Sequence, residues 1–133
     1  MRFIDSNIFI YHLAGDPRYG EKSEKILLSV EDGEEAATSS LVIAQVCGYL
    51  KWKGAHASIP VFIDLLRSLP TLRKQETTFT DFTAAYALKE KTKLSWEKWD
   101  DLVIASQMKR LKIGEIYTND SGFDKIPSVR RIF

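Results

Sequence analysis

Three aspartates stand where a parallel α/β fold would bring their carboxylates together. Asp5 follows the apolar residues Phe3 and Ile4, and Asp120 follows the strand-like run 115–118. The carboxyl ends of parallel strands meet at one edge of a sheet, so these two acids should be neighbours. Asp100 opens an apolar helical run and can join them. Clustered carboxylates repel one another unless a cation joins them, so the spacing predicts a cation site.

Each acid also has a purely structural explanation. Asp5 could cap the helix that follows it, and Asp120 could form an Asx-type turn. Asp100 and Asp101 both suit the first turn of a helix, where the macrodipole favours carboxylates. For that pair taken alone the structural explanation is the better one, and only the convergence of three acids favours a cation. Asp101 lies about 100° around the helix from Asp100, so we expect it to point elsewhere.

The expected cation is Mg²⁺ or Mn²⁺. The acidic segments contain no cysteine and no histidine: Cys47 lies in an apolar run, and His12 and His56 lie elsewhere and are assigned no role. Hard oxygen ligands suit magnesium and manganese better than zinc or copper. A divalent cation held by carboxylates suits the hydrolysis of phosphodiesters, because it stabilises the charge that develops on the phosphate.

Length and composition predict one folded domain over residues 1–133. Hydrophobic residues make up 44% and charged residues 28% of the chain, which are ordinary globular proportions. With 19 Lys and Arg against 18 Asp and Glu, no overall basic charge indicates nucleic acid, although a local basic surface remains compatible with this balance. The lone cysteine fits a reducing, cytoplasmic compartment, and no apolar run approaches the length of a membrane span.

Hydrophobic periodicity predicts strands separated by helices. Short strands are expected just before Asp5 and at 35–38, 72–77, 115–118 and 129–133. Helices are expected over 7–13, 20–31, about 40–53, 58–69, 80–92 with Thr80 as cap, and from about Ser95 or Asp100 to Lys112. This order predicts a three-layer α/β/α sandwich around a short, mainly parallel sheet.

Four motifs in this order resemble those of the PIN domains, many of which are VapC-type toxins of prokaryotic toxin–antitoxin pairs. They are Asp5-Ser-Asn7, Ser39 to Val46, Asp100 to Ala105, and Thr118-Asn-Asp120 followed by Phe123. The resemblance spans nearly the whole chain and implies the PIN fold and a metal-dependent ribonuclease. In such an enzyme Asp5, Asp100 and Asp120 would be the catalytic acids that bind Mg²⁺ or Mn²⁺.

The resemblance also implies roles for neighbouring polar residues. Those that would orient the acids are Asn7, Ser39, Ser40, Gln45, Thr118 and Asn119, and Asp124 would be an outer acid. Gln45 is a departure, because the family usually carries a glutamate at this position of the third helix. An amide oxygen can hold a metal or a water, but it brings no charge and cannot act as a base. The domain could therefore be a weakened nuclease, or a catalytically silent scaffold that binds RNA or a protein partner.

Partners follow from the same resemblance. It implies an RNA substrate, a small antitoxin protein that occupies the groove near the acids, and a homodimer, with no membrane association. Candidate residues for the RNA backbone are Lys51, Lys53, Arg73 and Lys74, each of which could equally be a solvated surface residue. A phosphatase or receiver-like fold also places aspartates at strand ends, but it would want a second acid where this chain has Asn7.

Overall fold

Five short strands form one parallel sheet at the centre of the molecule. The computed structural model describes all residues from Met1 to Phe133. The strands are β1 (Arg2–Ile4), β2 (Ala36–Ser39), β3 (Leu72–Gln75), β4 (Glu115–Tyr117) and β5 (Arg130–Ile132). Their order across the sheet is β3-β2-β1-β4-β5, and every neighbouring pair is parallel. The predicted α/β fold with a parallel sheet is confirmed.

Six helices connect the strands. They are α1 (Ser6–Ala14), α2 (Gly20–Glu31), α3 (Ser40–Trp52), α4 (Ser58–Arg67), α5 (Phe79–Thr92) and α6 (Trp99–Arg110), with short 3₁₀ segments at Trp96–Lys98 and Ser121–Lys125. The helix α1 contacts α2, α3 and α4, whereas α5 packs along α6. The chain moves outward from β1 to β3 and then crosses to the other side of β1, so right-handed crossovers place the first four helices and the last two on opposite faces.

The order of the strands reverses between β1 and β4. These two strands are neighbours, with Ile4 opposite Tyr117, and the backbone N–H of Asp5 donates to the carbonyl oxygen of Tyr117 at 3.1 Å. In doubly wound sheets, the crevice beyond the carboxyl ends of the strands at such a reversal is where ligands bind. The fold therefore brings Asp5 and the segment after Tyr117 to its most suitable position for a site.

Helix α5 begins earlier than the sequence indicated. Thr78, not Thr80, is its cap: the Thr78 hydroxyl accepts from the N–H of Asp81 at 3.3 Å, and the Asp81 carboxylate accepts from the N–H of Thr78 at 2.8 Å. Asp81 is only 1% exposed and also pairs with Arg110 of α6 at 2.8 Å. This reciprocal cap and ion pair fix the start of α5 against α6. No helix combines the length and the apolar character needed to cross a membrane.

Candidate active site

The Asp5 carboxylate is buried and held by donors from two elements. Its Oδ1 accepts from the backbone N–H of Ser6 at 2.7 Å, and its Oδ2 accepts from the Thr118 hydroxyl at 2.7 Å. Asp5 is 5% exposed and Thr118 is fully buried. The contact with Ser6 caps α1, so the structural explanation for Asp5 is correct as far as it goes. The bond to Thr118 ties the ends of β1 and β4 together.

A second set of hydrogen bonds locks the loop after β4. Asn7 Nδ2 donates to the Thr118 hydroxyl at 2.9 Å, and Asn7 Oδ1 accepts from the N–H of Asn119 at 3.3 Å. The Thr118 hydroxyl also accepts from the N–H of Asp120 at 3.0 Å, and Asn119 Nδ2 donates to the Tyr11 hydroxyl at 3.2 Å. Three of the predicted polar residues, Asn7, Thr118 and Asn119, therefore link Asp5 to the loop that carries Asp120.

The structure corrects the placement of the third acid: Asp101, not Asp100, faces Asp5 and Asp120. Asp101 forms a side-chain hydrogen bond with Asp120 and experiences the charges of both other acids. Asp100 is exposed, and its Oδ2 accepts from Gln45 Nε2 at 2.8 Å. The two residues do point in different directions, as their spacing on the helix requires, but the start of α6 turns Asp101 inward.

Burial and neighbouring charges raise the pKa values of Asp101 and Asp5. Burial, followed by the charges of Asp120 and Asp5, raises the pKa of Asp101 from 3.8 to about 7. Burial also raises the pKa of Asp5, although the hydrogen bonds from Thr118 and Ser6 oppose the shift. Without a cation, ionisation of Asp101 at neutral pH is therefore costly.

One ammonium group approaches the acids. An ideal Cβ built on Gly122 would lie 2.6 Å from Lys98 Nζ, 2.9 Å from Asp120 Oδ1 and 3.3 Å from Asp101 Oδ2. The absence of a side chain at Gly122 therefore leaves room for both the ammonium and the carboxylates, and the Gly122 N–H donates to Asp120 Oδ1 at 2.8 Å. Lys98 lowers the pKa of Asp101 by its charge, yet its ammonium group forms no hydrogen bond and no ion pair with any residue.

Gln45 lies on α3 and contacts the start of α6 through Asp100. Its amide nitrogen donates a hydrogen bond to Asp100 Oδ2 at 2.8 Å, whereas its amide oxygen is buried and has no hydrogen-bond partner. An unpaired buried oxygen is costly in a protein interior and commonly marks an acceptor that a ligand or a water satisfies. Gln45 thus offers a free neutral acceptor at the position where the resemblance implies an acid.

The remaining predicted site residues have other partners. The Ser39 hydroxyl accepts from the N–H of Val42 at 3.3 Å and caps α3. The Ser40 hydroxyl accepts from the N–H of Thr77 at 2.8 Å, which joins α3 to the loop before α5. Both oxygens of Asp124 accept from Arg131, at 3.0 and 2.9 Å, and its role as an outer acid stays a prediction. These hydrogen bonds hold the pKa of Asp124 below its ordinary value.

Two of the basic candidates for RNA binding are also engaged elsewhere. Arg73 lies 4.0 Å from Glu35. Lys74 Nζ donates to the carbonyl oxygen of Leu69 at 2.9 Å, and burial lowers the pKa of this lysine. Lys51 is the last-turn cation of α3 and Lys53 is its C-cap, and Lys53 Nζ lies 5.2 Å from the Trp52 ring centroid. None of these four lysine and arginine side chains has a recorded contact with the acids.

The donor chemistry of the cluster fits a divalent cation, although its geometry is not that of a finished metal site. Three carboxylates and one unpaired amide oxygen are the oxygen ligands that magnesium and manganese prefer. No group of three or more His, Cys, Asp or Glu side chains is arranged so that it could hold a metal ion as it stands.

Sequence reasoning missed two residues of this cluster. The helical spacing predicts that Asp101 points away from the other acids, and no sequence pattern assigns a role to Lys98. A signal for Asp101 was available only in part: a residue in the first turn of a helix, followed by Ile104 and Ala105 three and four positions later, lies on the same face as they do. Lys98 precedes the helix in a 3₁₀ turn, where no periodicity predicts which way a side chain points.

Comparison with protein families identifies the fold. A family model for the PIN domain matches residues 2–129. The chain belongs to the PIN-domain family. A comparison with individual curated proteins gives no significant match, so the family model and the solved structures carry the assignment of this PIN domain.

Three solved structures are similar to this PIN domain. VapC20 of Mycobacterium tuberculosis, a toxin that cleaves the sarcin–ricin loop, gives a TM-score of 0.77 at 14% identity over 93% of both chains. VapBC2 of Rickettsia felis, bound to a promoter DNA fragment, gives 0.74 at 19% identity over 98% of this chain and 96% of that one. A toxin–antitoxin complex of Klebsiella pneumoniae gives 0.68 at 18% identity over the same shares. At these identities the likeness establishes the fold.

Proposed function

We propose that this PIN domain is a metal-dependent endoribonuclease and the toxin of a toxin–antitoxin pair. The observation that supports this most directly is the meeting of Asp5, Asp101 and Asp120 at the reversal point of the sheet. The structural neighbours include a toxin that cleaves the sarcin–ricin loop and a toxin–antitoxin complex. The family and the neighbours support the nuclease class, while the identity of the metal and the RNA belong to the proposal.

In the proposed reaction, water attacks a phosphodiester of RNA, a new P–O bond forms, and the bond to the leaving oxygen breaks as that oxygen gains a proton. A bound Mg²⁺ or Mn²⁺ would stabilise the charge that develops on the phosphate. Asp5, Asp101 and Asp120 would hold this cation. Thr118 and Asn7 would keep the Asp5 carboxylate in place through the bonds at 2.7 and 2.9 Å described above.

Two neighbouring residues of α6 provide a matched test. Asp101→Asn should abolish manganese-dependent cleavage of RNA, because it removes an acid that faces Asp5 and Asp120. Asp100→Asn changes the same atoms one position away, on an exposed side chain, and should retain most of the activity. Gel analysis of an RNA containing the sarcin–ricin loop, with and without chelator, would measure both. Loss of cleavage in Asp100→Asn with full activity in Asp101→Asn would contradict the assignment of the acids.

A catalytically silent scaffold is the second candidate, and Gln45 is the observation that favours it. The neutral amide supplies no fourth charge, so metal affinity should be lower than in a four-acid pocket. Gln45→Glu would place a new carboxylate near Asp100, and calorimetry should show tighter Mn²⁺ binding because the cation relieves that repulsion. If the variant gains cleavage that the natural chain lacks, the natural chain is a binding scaffold. Equal cleavage by both proteins would exclude this candidate.

An antitoxin and a second copy of the chain are the proposed protein partners. Seven large apolar side chains are exposed on the isolated chain: Met1, Leu28, Trp52, Val61, Phe79, Tyr86 and Trp96. Phe79 is 81% and Trp52 77% exposed, and burying such side chains against a partner would be favourable. Light scattering of the purified chain, and co-purification when it is expressed with the reading frame next to its own, would test the two partners separately.

A further inference from the structure

We infer that Lys98 binds a phosphate oxygen of the RNA substrate beside the three acids. This inference rests on the proposed function, because it assigns a substrate contact within the same site. The ammonium group of Lys98 lies beside the acids, it has no partner in the protein, and the RNA that the site would take is negatively charged.

The ammonium group of Lys98 lies near the carboxylates of Asp101 and Asp120. A single point next to the Gly122 backbone lies 2.6 Å from Lys98 Nζ, 2.9 Å from Asp120 Oδ1 and 3.3 Å from Asp101 Oδ2. The ammonium therefore lies at the edge of the acidic cluster. A side chain at residue 122 would displace it, and Gly122 is the residue that permits this approach. The side chain of Lys98 is only half exposed, which restricts its motion more than that of a surface lysine.

The second step is that Lys98 has no partner of its own. The guanidinium of Arg131, which also experiences the charge of Asp120, is held by two hydrogen bonds from its nitrogens to Asp124. Lys98 makes no side-chain hydrogen bond and no ion pair, even though the carboxylates of Asp101 and Asp120 are close. A lysine whose role was to neutralise the acids would contact one of them directly.

The third step is the charge of the ligand. A phosphodiester that approaches three carboxylates is repelled, and a divalent cation offsets only part of this repulsion at the reacting phosphate. An unpaired ammonium at the edge of the acids supplies a second positive group without occupying the place of the metal. Lysine is a common ligand of phosphate because it acts as a compact point charge with three donors.

The competing explanation is that Lys98 only steadies the acids. The two roles differ in the salt dependence of RNA binding. A lysine that contacts one phosphate of single-stranded RNA contributes about 0.7 to the slope of log K against log salt concentration, whereas a lysine that acts only on protein carboxylates contributes nothing to it. Binding would be measured in the Asp101→Asn background with chelator, so that no cleavage occurs.

The test uses fluorescence anisotropy of a fluorescein-labelled polyuridine oligonucleotide. Lys98→Met should weaken binding about tenfold at low salt and reduce the slope by about 0.7, and Lys98→Arg should restore both. Lys109→Met is the matched control, since it removes the same charge from the exposed far end of α6 and should leave the slope close to that of the parent. Thermal unfolding of each variant checks the fold.

A second readout separates phosphate binding from a structural role. Lys98→Met in the otherwise natural chain should bind Mn²⁺ more tightly by calorimetry, because a repelling charge is removed, while its KM for RNA rises. The inference is overturned if Lys98→Met keeps the salt slope of its parent, or if the parent binds no RNA. The proposed function fails on a different result, namely the absence of manganese-dependent cleavage by the natural chain.

Discussion

Replacing Asp101 by asparagine should stabilise the metal-free protein at neutral and alkaline pH. Burial and the charges of Asp120 and Asp5 raise the pKa of Asp101 to about 7, against an ordinary value of 3.8. A raised acid pKa means that the folded state binds the proton more tightly than the unfolded chain does. Stability should therefore fall as the pH rises from about 4 to about 7, and Asp101→Asn should remove this part of the fall.

The size of the effect follows from the shift. About three pKa units correspond to about 4 kcal/mol at 1.36 kcal/mol per unit. Asp101 retains some contact with solvent, so screening reduces this figure to roughly 2 kcal/mol. The assay is urea unfolding in chelator at a series of pH values, comparing the natural chain with Asp101→Asn and with Asp100→Asn as the control. Asp100 is exposed, and its substitution should change stability by about 0.5 kcal/mol or less.

Manganese should reverse the order of the two proteins. A ligand that binds only the folded state adds about 2.7 kcal/mol at one hundred times its Kd. The natural chain should gain stability from Mn²⁺ and Asp101→Asn should gain much less. If the natural chain and Asp101→Asn show the same stability and the same pH dependence between about 4 and 7 in chelator, Asp101 is not crowded by the other acids, and the geometry described above is wrong.

Three further substitutions test the framework of the site. Asp81→Asn breaks the pair between the buried Asp81 and the partly exposed Arg110 and should cost about 1–3 kcal/mol in urea unfolding. Burial raises the pKa of Asp81, but the hydrogen bonds from Arg110 outweigh burial and hold this pKa below its ordinary value of 3.8, so the loss should shrink as the pH falls below 3.8. Thr118→Val removes a donor to Asp5 at 2.7 Å and should cost about 1–3 kcal/mol and weaken Mn²⁺ binding in calorimetry. Gly122→Ala should lower RNA cleavage more than thermal stability, because its Cβ meets the movable ammonium at 2.6 Å.

Much of the fold could be predicted because its strands have a clear sequence pattern. The run from Arg2 to Ile4 is short, largely buried and followed at once by a polar break, and the same holds for Glu115 to Tyr117. Once both are parallel strands of one sheet, their carboxyl ends meet without further information. Asp5 and Asp120 are therefore the two acids that the sequence could locate. Asp5 directly follows β1, and Asp120 follows β4 after two intervening residues.

The choice between Asp100 and Asp101 could not be made in the same way. Every residue from Leu102 to Met108 is buried, including Ser106 and Gln107. A helix that is buried on all sides shows no apolar stripe, so its periodicity does not indicate which face points to the sheet. Gln107 is buried because its amide accepts from Thr77 at 3.0 Å and donates to the Glu76 carbonyl at 3.3 Å. These contacts between distant segments set the rotation of α6.

Ser40 shows the same limit for a residue outside the cluster. A serine at a helix start indicates a cap, and Ser39 is that cap. The neighbouring Ser40 accepts instead from the N–H of Thr77 at 2.8 Å, and the Thr77 hydroxyl in turn accepts from the N–H of Leu41 at 3.1 Å. Two loops that are distant in sequence thus satisfy each other's backbone donors, a pairing that only the folded chain reveals.

Gln45 and Lys98 change the charge of the site in the same direction. Relative to a four-acid pocket, Gln45 removes one negative charge, and Lys98 adds one positive charge beside Asp101 and Asp120. Three ionised carboxylates and one ammonium carry two net negative charges, which a single divalent cation neutralises. A second cation would enter a site that is already neutral and would be repelled by the first at close range. In the proposed enzyme this arrangement would favour one bound metal ion, with Lys98 supplying the second positive group that the phosphate meets.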